Sequence, residues 1–344
     1  MSTVMGAGDD TLAGLFAASP LHFAGSPLYS RVGQVVAGDE RLLAVAAQAR
    51  AGQIPSNLLF ASVHYLLLRD PAHELAAWYP SLGGTAEGDP GPAFTAFCLD
   101  RRAEIVALMR RRLVQTNVVK RSLVLRAGLA VVASMTREPV TLVEVGCSAG
   151  VHLRFDDYRY DFAGRTWGRA SSPVVVSAAW RGETAAPDLD PVPDLADRVG
   201  IDLNPIDATD PDERRWLRAL VWPENGAHAV LQDAALEAVA RNPPRTVAGD
   251  AVEVLPQVVA EVPRGAPVVV FHSATRIHVP AGRREAFDAA IADVGRDHAL
   301  FHLSYEAYEG LDETSFGLTL SRDAGPGRLL AVGHGHGEWL AGPV

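Results

Sequence analysis

Ten residues, Thr141-Leu142-Val143-Glu144-Val145-Gly146-Cys147-Ser148-Ala149-Gly150, constrain the fold of this chain more than any other stretch. A run of β-branched and apolar residues reads as a buried strand. The strand ends in a glycine-punctuated turn, and the apolar Val151-His152-Leu153 then opens a helix. Glycine has no Cβ and tolerates positive φ, so such a turn brings backbone N–H groups at a helix N-terminus close to a ligand. Glu144 at the strand's end narrows the ligand class. A carboxylate there repels a pyrophosphate but receives a ribose hydroxyl or an ammonium group.

The 344 residues are 48% apolar, enough for a substantial core in one large domain or two ordinary ones. A formal net charge of −10 argues against a nucleic-acid partner, which a basic face normally serves. The remaining local basic patch is Arg110-Arg111-Arg112 with Lys120-Arg121. Cys98 and Cys147 give neither a disulfide framework nor a zinc motif. No basic-then-apolar leader is visible, and no uncharged apolar run reaches the ~18 residues a membrane span needs. The expectation is a soluble cytoplasmic protein with no membrane partner. Nothing in the pattern specifies an oligomeric state.

From Leu12 to about Met135 the pattern is helical. Asp39–Ala46 starts acidic and continues with helix formers, and Asn57–Leu68 is apolar almost all round, closed by Asp70-Pro71. Gly83–Pro92 is a loop; Phe94–Arg112 and Thr116–Thr136 read as two longer helices. No strand pattern precedes Thr141. After Gly150, Tyr158–Phe162, Thr166-Trp167 and Val174–Trp180 read as short strands or a hairpin, and Val199–Pro205 as a short strand ending in Asp202. Helices over 212–221 and 229–240 follow. Next come a strand ending at Asp250, a continuously apolar strand over Pro267–His272, a helix over 282–294 and a strand over Ala299–Tyr305. Phe316–Leu320 and Arg328–Val332, around a Gly/Pro turn, form a hairpin. The expected fold is α/β: a doubly wound, mostly parallel sheet with a terminal antiparallel hairpin. A helical region over 1–138 precedes the α/β domain at 139–344, which carries an insertion at about 156–195, a lid, substrate wall or decoration.

Two chemistries use a turn of this kind. Gly146-Cys147-Ser148-Ala149-Gly150 matches the G-x-S-x-G elbow of α/β-hydrolases, with Ser148 as nucleophile and His272, His278, His334 and His336 downstream. Against it, that strand should sit mid-sheet with strands before it, and Glu144 would oppose an oxyanion. The other reading explains more of the chain. Glu144–Gly150, Ile201-Asp202-Leu203-Asn204-Pro205 and Ala248-Gly249-Asp250-Ala251 resemble, in order, three motifs of class I S-adenosylmethionine (SAM) dependent methyltransferases. The resemblance implies a Rossmann-like methyltransferase sheet and SAM as cofactor. A wider resemblance, through Asp156–Tyr160, Ser172-Pro173, Trp180-Arg181-Gly182, Gly200–Asp207, Arg215-Trp216-Leu217, Val221–Glu224 and Gly249–Ala251, is to the bacterial family called domain of unknown function 2332. It implies a helical N-terminal part and a methyltransferase-like C-terminal part, with no substrate.

On the methyltransferase resemblance, Glu144 receives the SAM ammonium and Gly146, Ser148 and Gly150 form the turn. Asp202 holds the ribose, Leu203 stands beside it, and Asp250 with Ala251 lies near the adenine. His272 follows the apolar strand, where a residue faces the transferred methyl, and its ordinary pKa suits a general base. Ser273 and Arg276 share its loop as substrate contacts. Asn117 and Arg121, four apart on one expected helix, point the same way and would hold the SAM carboxylate or an acidic substrate. Tyr158 and other aromatic residues of the insertion would line a pocket. His334 and His336 share a face if their strand continues, yet no further ligands complete a metal site, and none is expected. The expected activity is methyl transfer to a small molecule; the alternatives are a SAM- or nucleoside-binding module without catalysis, and a hydrolase using Ser148.

Overall fold

The computed structural model describes residues 11–312 and 314–342. The chain divides into two units. Of the described residues, those up to Thr116 together with Asp210–Asp233 form one, and Asn117–Thr209 with those from Ala234 form the other.

The first unit is helical. In chain order it holds α1 (Leu12–Ala17), α2 (Ser19–His22), α3 (Pro27–Ala37), α4 (Glu40–Ala46), α5 (Pro55–Arg69), α6 (Gly91–Asp100) and α7 (Arg102–Arg111). After α8 (Arg121–Ala133), which belongs to the other unit, α9 (Pro211–Ala219) and the start of α10 (Gly226–Arg241) complete it. Thr11, Ser26 and Asp39 each accept an amide of the helix they precede, and proline stands at the first position of α3 and α5. Buried α5 is the axis: Phe60 stacks on Tyr29 at 4.7 Å and meets Phe16, Phe23 and Phe94 edge-on. Arg112 is buried, ion-paired to Asp212 and Glu213, with its guanidinium 5.5 Å from the Trp216 ring centroid. The single helix expected over 94–112 is broken at Arg101, which caps α6 and precedes α7.

The second unit is an α/β domain with an 11-stranded, mostly parallel open sheet. Its strands are β1 (Val140–Val145), β2 (Arg159–Phe162), β3 (Arg165–Gly168), β4 (Val175–Trp180), β5 (Leu195–Asp202) and β6 (Arg245–Ala248). After helix α11 (Ala251–Val259) come β7 (Pro267–Ser273), α12 (Arg284–Val294), β8 (Ala299–Ala307), β9 (Ser315–Arg322), β10 (Arg328–His334) and β11 (Trp339–Ala341). The spatial order is β3-β2-β4-β11-β10-β9-β8-β7-β1-β5-β6. Strands β6, β5, β1, β7 and β8 are parallel neighbours, and the direction of winding reverses between β1 and β7. The apolar runs expected of central parallel strands are found there: β1 and β7 are buried at every residue. One face packs Val143, Val145, Val199, Ile201, Val268 and Val270 against α11 and α12. On α8, a Cβ at Gly128 would lie 2.8 Å from Leu303 of β8, so glycine permits that close approach.

Three expectations change here. Helix α8 starts at Arg121, so Asn117 lies in irregular chain ahead of it and does not share its helix face. The segment after the glycine turn is a short 3-10 stretch, His152–Asp157, instead of a crossover helix. The insertion builds β2, β3 and β4, which extend the sheet through β11 at its far edge.

Candidate functional site

The turn after β1 is held in a shape that few residues adopt. Gly146, Ser148 and Gly150 all have positive φ (80°, 50° and 72°). A Cβ at Gly146 would overlap the Thr275 hydroxyl, and one at Gly150 would lie 2.7 Å from Pro244. Its amides are then accounted for within the protein. Gly146 N and Cys147 N donate to Ile201 O (2.7 and 3.2 Å), and Gly150 N to Cys147 O (2.7 Å). Ser148 N donates to Asp202 Oδ2 at 2.8 Å and Ala149 N to Asn117 Oδ1 at 3.4 Å. The turn therefore offers no amide from 146 to 150 to an anion. Ser148 Oγ accepts from Asn117 Nδ2 at 2.8 Å, and among the described residues no histidine bonds this buried hydroxyl. That leaves the hydrolase arrangement without its base.

Glu144 is 2% exposed. Its Oε1 lies 2.6 Å from His152 Nδ1, while His152 Nε2 lies 3.0 Å from Val118 O. A carbonyl only accepts, so Nε2 carries a hydrogen, and a second proton must sit between Nδ1 and the carboxylate. The pair therefore has no net charge. Burial raises the Glu144 pKa, and the His152 partner opposes that. Glu144 Oε2 is buried with no partner among the described residues.

At the end of β5, Asp202 Oδ1 accepts from Asn204 N at 2.8 Å, in addition to the Ser148 amide on Oδ2. Leu203, next in the chain, is 77% exposed. At the end of β6, Asp250 caps α11 by accepting from Val252 N (2.9 Å) and ion-pairs with Arg283 (2.7 Å); Ala251 is the first residue of that helix. Glu144, the turn, Asp202 and Asp250 thus fall at the C-terminal ends of the adjacent strands β1, β5 and β6.

Across the winding reversal, His272 is 1% exposed and engaged through both nitrogens: Nδ1 to Glu306 Oε1 at 2.7 Å and Nε2 to His302 Nε2 at 2.9 Å. Burial, with His272 alongside, pulls the His302 pKa down to about 3, so His302 is neutral. His272 packs edge-on against Phe287 of α12 at 5.4 Å, and neither of its ring nitrogens is open to a substrate in this conformation. Burial alone would raise the Glu306 pKa; the hydrogen bonds from His272, Thr275 N and Arg276 N pull it below the usual range. Ser273 presents its carbonyl to Arg121 Nη1 (3.4 Å), and Arg121 Nε donates to Gly335 O at 2.7 Å. The Arg276 side chain is bidentate on Asp288 (2.8 and 2.7 Å), on the surface. Tyr158 is a core residue whose hydroxyl donates to Val151 O at 2.6 Å, so it lines no pocket. Strand β10 ends at His334 and His336 lies in the turn beyond, so the two do not share a strand face; among the described residues no metal-binding cluster forms.

The family model for an uncharacterized protein conserved in bacteria (DUF2332) matches residues 16–341. The chain belongs to that family. No curated protein and no solved structure is significantly similar to it. In this DUF2332 chain, no helix among the described residues is long and apolar enough to cross a membrane.

The sequence sets Asn117 beside Arg121 on one helix face, whereas in the structure Asn117 and Asp202 both bond the Ser148 turn. Sequence reasoning also did not find that Arg121 meets Ser273 and Gly335. It missed His152, Thr275, His302 and Glu306. The signal for His152 was present: a histidine eight residues after Glu144, just past a turn that folds the chain back. Glu306, at the end of the next parallel strand from His272, becomes visible only once β7 and β8 are known to pair.

Proposed function

We propose that this DUF2332 protein binds SAM at the C-terminal ends of β1, β5 and β6 and transfers its methyl group to a small molecule. The order β6-β5-β1-β7-β8 is the 3-2-1-4-5 order of doubly wound nucleotide-binding sheets, whose ligands sit where the winding reverses. The observation that carries the reading is the polarity of that edge. Every amide of the glycine turn is consumed, and the acceptors at the ends of these strands are carboxylate oxygens: those of Asp202, of Asp250 beside its Arg283 partner, and Oε2 of Glu144 beside His152. Such an edge suits a ligand that donates hydrogen bonds, a ribose diol or an amine, and disfavours a phosphate. The unpartnered Oε2 of Glu144 fits an ammonium donor, and exposed Leu203 beside Asp202 fits the plane of a purine.

SAM when bound supplies an electrophilic methyl. The chain's own residues then hold and orient: Asp202 the ribose, the braced turn the nucleoside's approach, Glu144 the ammonium. Rate acceleration comes from positioning, because His272 has both nitrogens engaged. That same engagement favours a second reading, a SAM- or nucleoside-binding module without catalysis. Calorimetric titration with SAM and S-adenosylhomocysteine tests both. Saturable binding that Asp202→Ala weakens supports the site; no heat of binding at millimolar ligand removes SAM from the account. Turnover of labelled SAM with a small-molecule library then separates enzyme from binding module.

A further inference from the structure

The groups proposed to meet the ligand on the β1 side are shut in this conformation: Glu144, Ser148 and Asn117 are 2%, 6% and 4% exposed. Something must move before a ligand reaches Glu144 Oε2. The segment Ser273–Arg276, leaving β7 where the winding reverses, is the piece lying on the turn. Thr275 Oγ1 donates to Val145 O at 3.1 Å and occupies the space a Cβ at Gly146 would need.

One side chain ties this segment down. Glu306 Oε1 accepts from Thr275 N at 2.8 Å and Arg276 N at 3.0 Å as well as from His272 Nδ1 at 2.7 Å. Glu306 is 7% exposed, and its Oε2 has no partner among the described residues. Between the tied amides and β7, Ala274 sits at φ 51°, a left-handed conformation that a residue with a Cβ adopts at a cost. Its own amide is held by Tyr305 O at 3.0 Å. A strained residue next to a small set of bonds centred on one carboxylate oxygen is the makeup of a latch. It persists only while those bonds over-determine it.

We propose that Ser273–Arg276 is a strap over the Gly146 turn, latched by Glu306, and that the strap must lift for the ligand to enter. His272 and His302 act as positioning residues: they fix the rotamer of Glu306 from within the sheet. The gating half rests on the SAM-site reading above; the latch half does not.

Hydrogen exchange on the ligand-free protein reads the latch. The Thr275 and Arg276 amides should be protected in the wild type. Glu306→Ala should speed their exchange by about tenfold or more, since each amide loses a charged acceptor. Glu306→Gln keeps an acceptor oxygen and should fall between the two. Thr275→Ala, which leaves Glu306 untouched, should also loosen the strap, and it serves if Glu306→Ala does not fold. Stopped-flow association of S-adenosylhomocysteine reads the gate: the loosened variants should bind faster than wild type. Unchanged exchange in the Glu306 and Thr275 variants overturns the latch. Faster exchange with unchanged association overturns the gate. No binding by any variant, with exchange responding as expected, overturns the gate and the SAM reading while the latch stands.

Discussion

Replacing Gly146 by alanine separates two costs that the structure places at one residue. The first is conformational: φ is 80°, and a residue with a Cβ in the left-handed region costs about 1–2 kcal/mol. The second is steric, because the new Cβ would overlap Thr275 Oγ1 and lie 2.8 Å from its Cγ2. Overpacking of that kind costs about 1–3 kcal/mol, so Gly146→Ala should destabilise the α/β unit by about 2–5 kcal/mol. Thr275→Ala removes both colliding atoms and keeps the Cβ, at 3.0 Å from the built methyl. It also deletes the hydroxyl's bond to Val145 O, at about 1 kcal/mol. In the Thr275→Ala background, Gly146→Ala should therefore cost only the conformational part, about 1–2 kcal/mol. Urea denaturation of the four proteins closes the cycle, with unchanged slope showing that only stability moved. Equal costs in the two backgrounds would refute the contact between strap and turn. A cost below about 0.5 kcal/mol for Gly146→Ala would refute the backbone argument too.

Four further outcomes follow from named contacts. His64 in the helical unit is wholly buried, donates through Nδ1 to Ala219 O at 3.1 Å and accepts from Ser81 Oγ at 2.8 Å; burial pulls its pKa down to about 4. Its folded pKa lies below its unfolded one, so its contribution is complete above pH 6.5 and disappears as pH falls toward 4. Wild type should lose about 2–3 kcal/mol more than His64→Gln between pH 7 and 4.5; parallel losses would contradict this. Arg112→Ala strips a buried guanidinium from Asp212 and Glu213, and because those acids are partly exposed the loss should be about 1–3 kcal/mol. An Arg112→Ala/Asp212→Ala cycle with no coupling would remove that pair from the account. Fluorophosphonate reagents should leave Ser148 unlabelled, its hydroxyl being buried on Asn117; labelling detected by mass spectrometry would restore the hydrolase reading. Asp202→Asn places an amide where the Ser148 amide donates, and should weaken S-adenosylhomocysteine binding about tenfold in calorimetry; unchanged affinity would move the ribose elsewhere.

Where one physical signal dominates, the sequence was readable. A run of β-branched and apolar residues marked β1, a continuous apolar run marked β7, the Gly/Pro turn between two apolar segments marked β9 and β10, and Asn57–Leu68 marked buried α5. Short or context-dependent elements were harder. Strand β11 has three residues and exists because β10 and β4 flank it, a pairing that no local pattern encodes. Helix α8 was drawn too long because Gln115–Val119 has helix-compatible composition, whereas Asn117 there bonds the Ser148 turn instead. Residues 210–233 group with the helical unit although they follow the first strands of the sheet, through bonds such as Trp216 Nε1 to Leu113 O at 2.9 Å. At the site, residue types were legible but charge states were not. Glu144 looks like a free carboxylate until the turn carries His152 back to it, and His272 looks like a base until β8 supplies Glu306 and His302.

A crystal structure of the protein grown with S-adenosylhomocysteine tests the central claim most directly. The ligand should lie at the C-terminal ends of β1, β5 and β6, its ribose hydroxyls on Asp202, its purine against Leu203 and its ammonium on Glu144 Oε2. Ligand bound elsewhere, or a phosphate-bearing molecule seated on the Gly146–Gly150 amides, would contradict it.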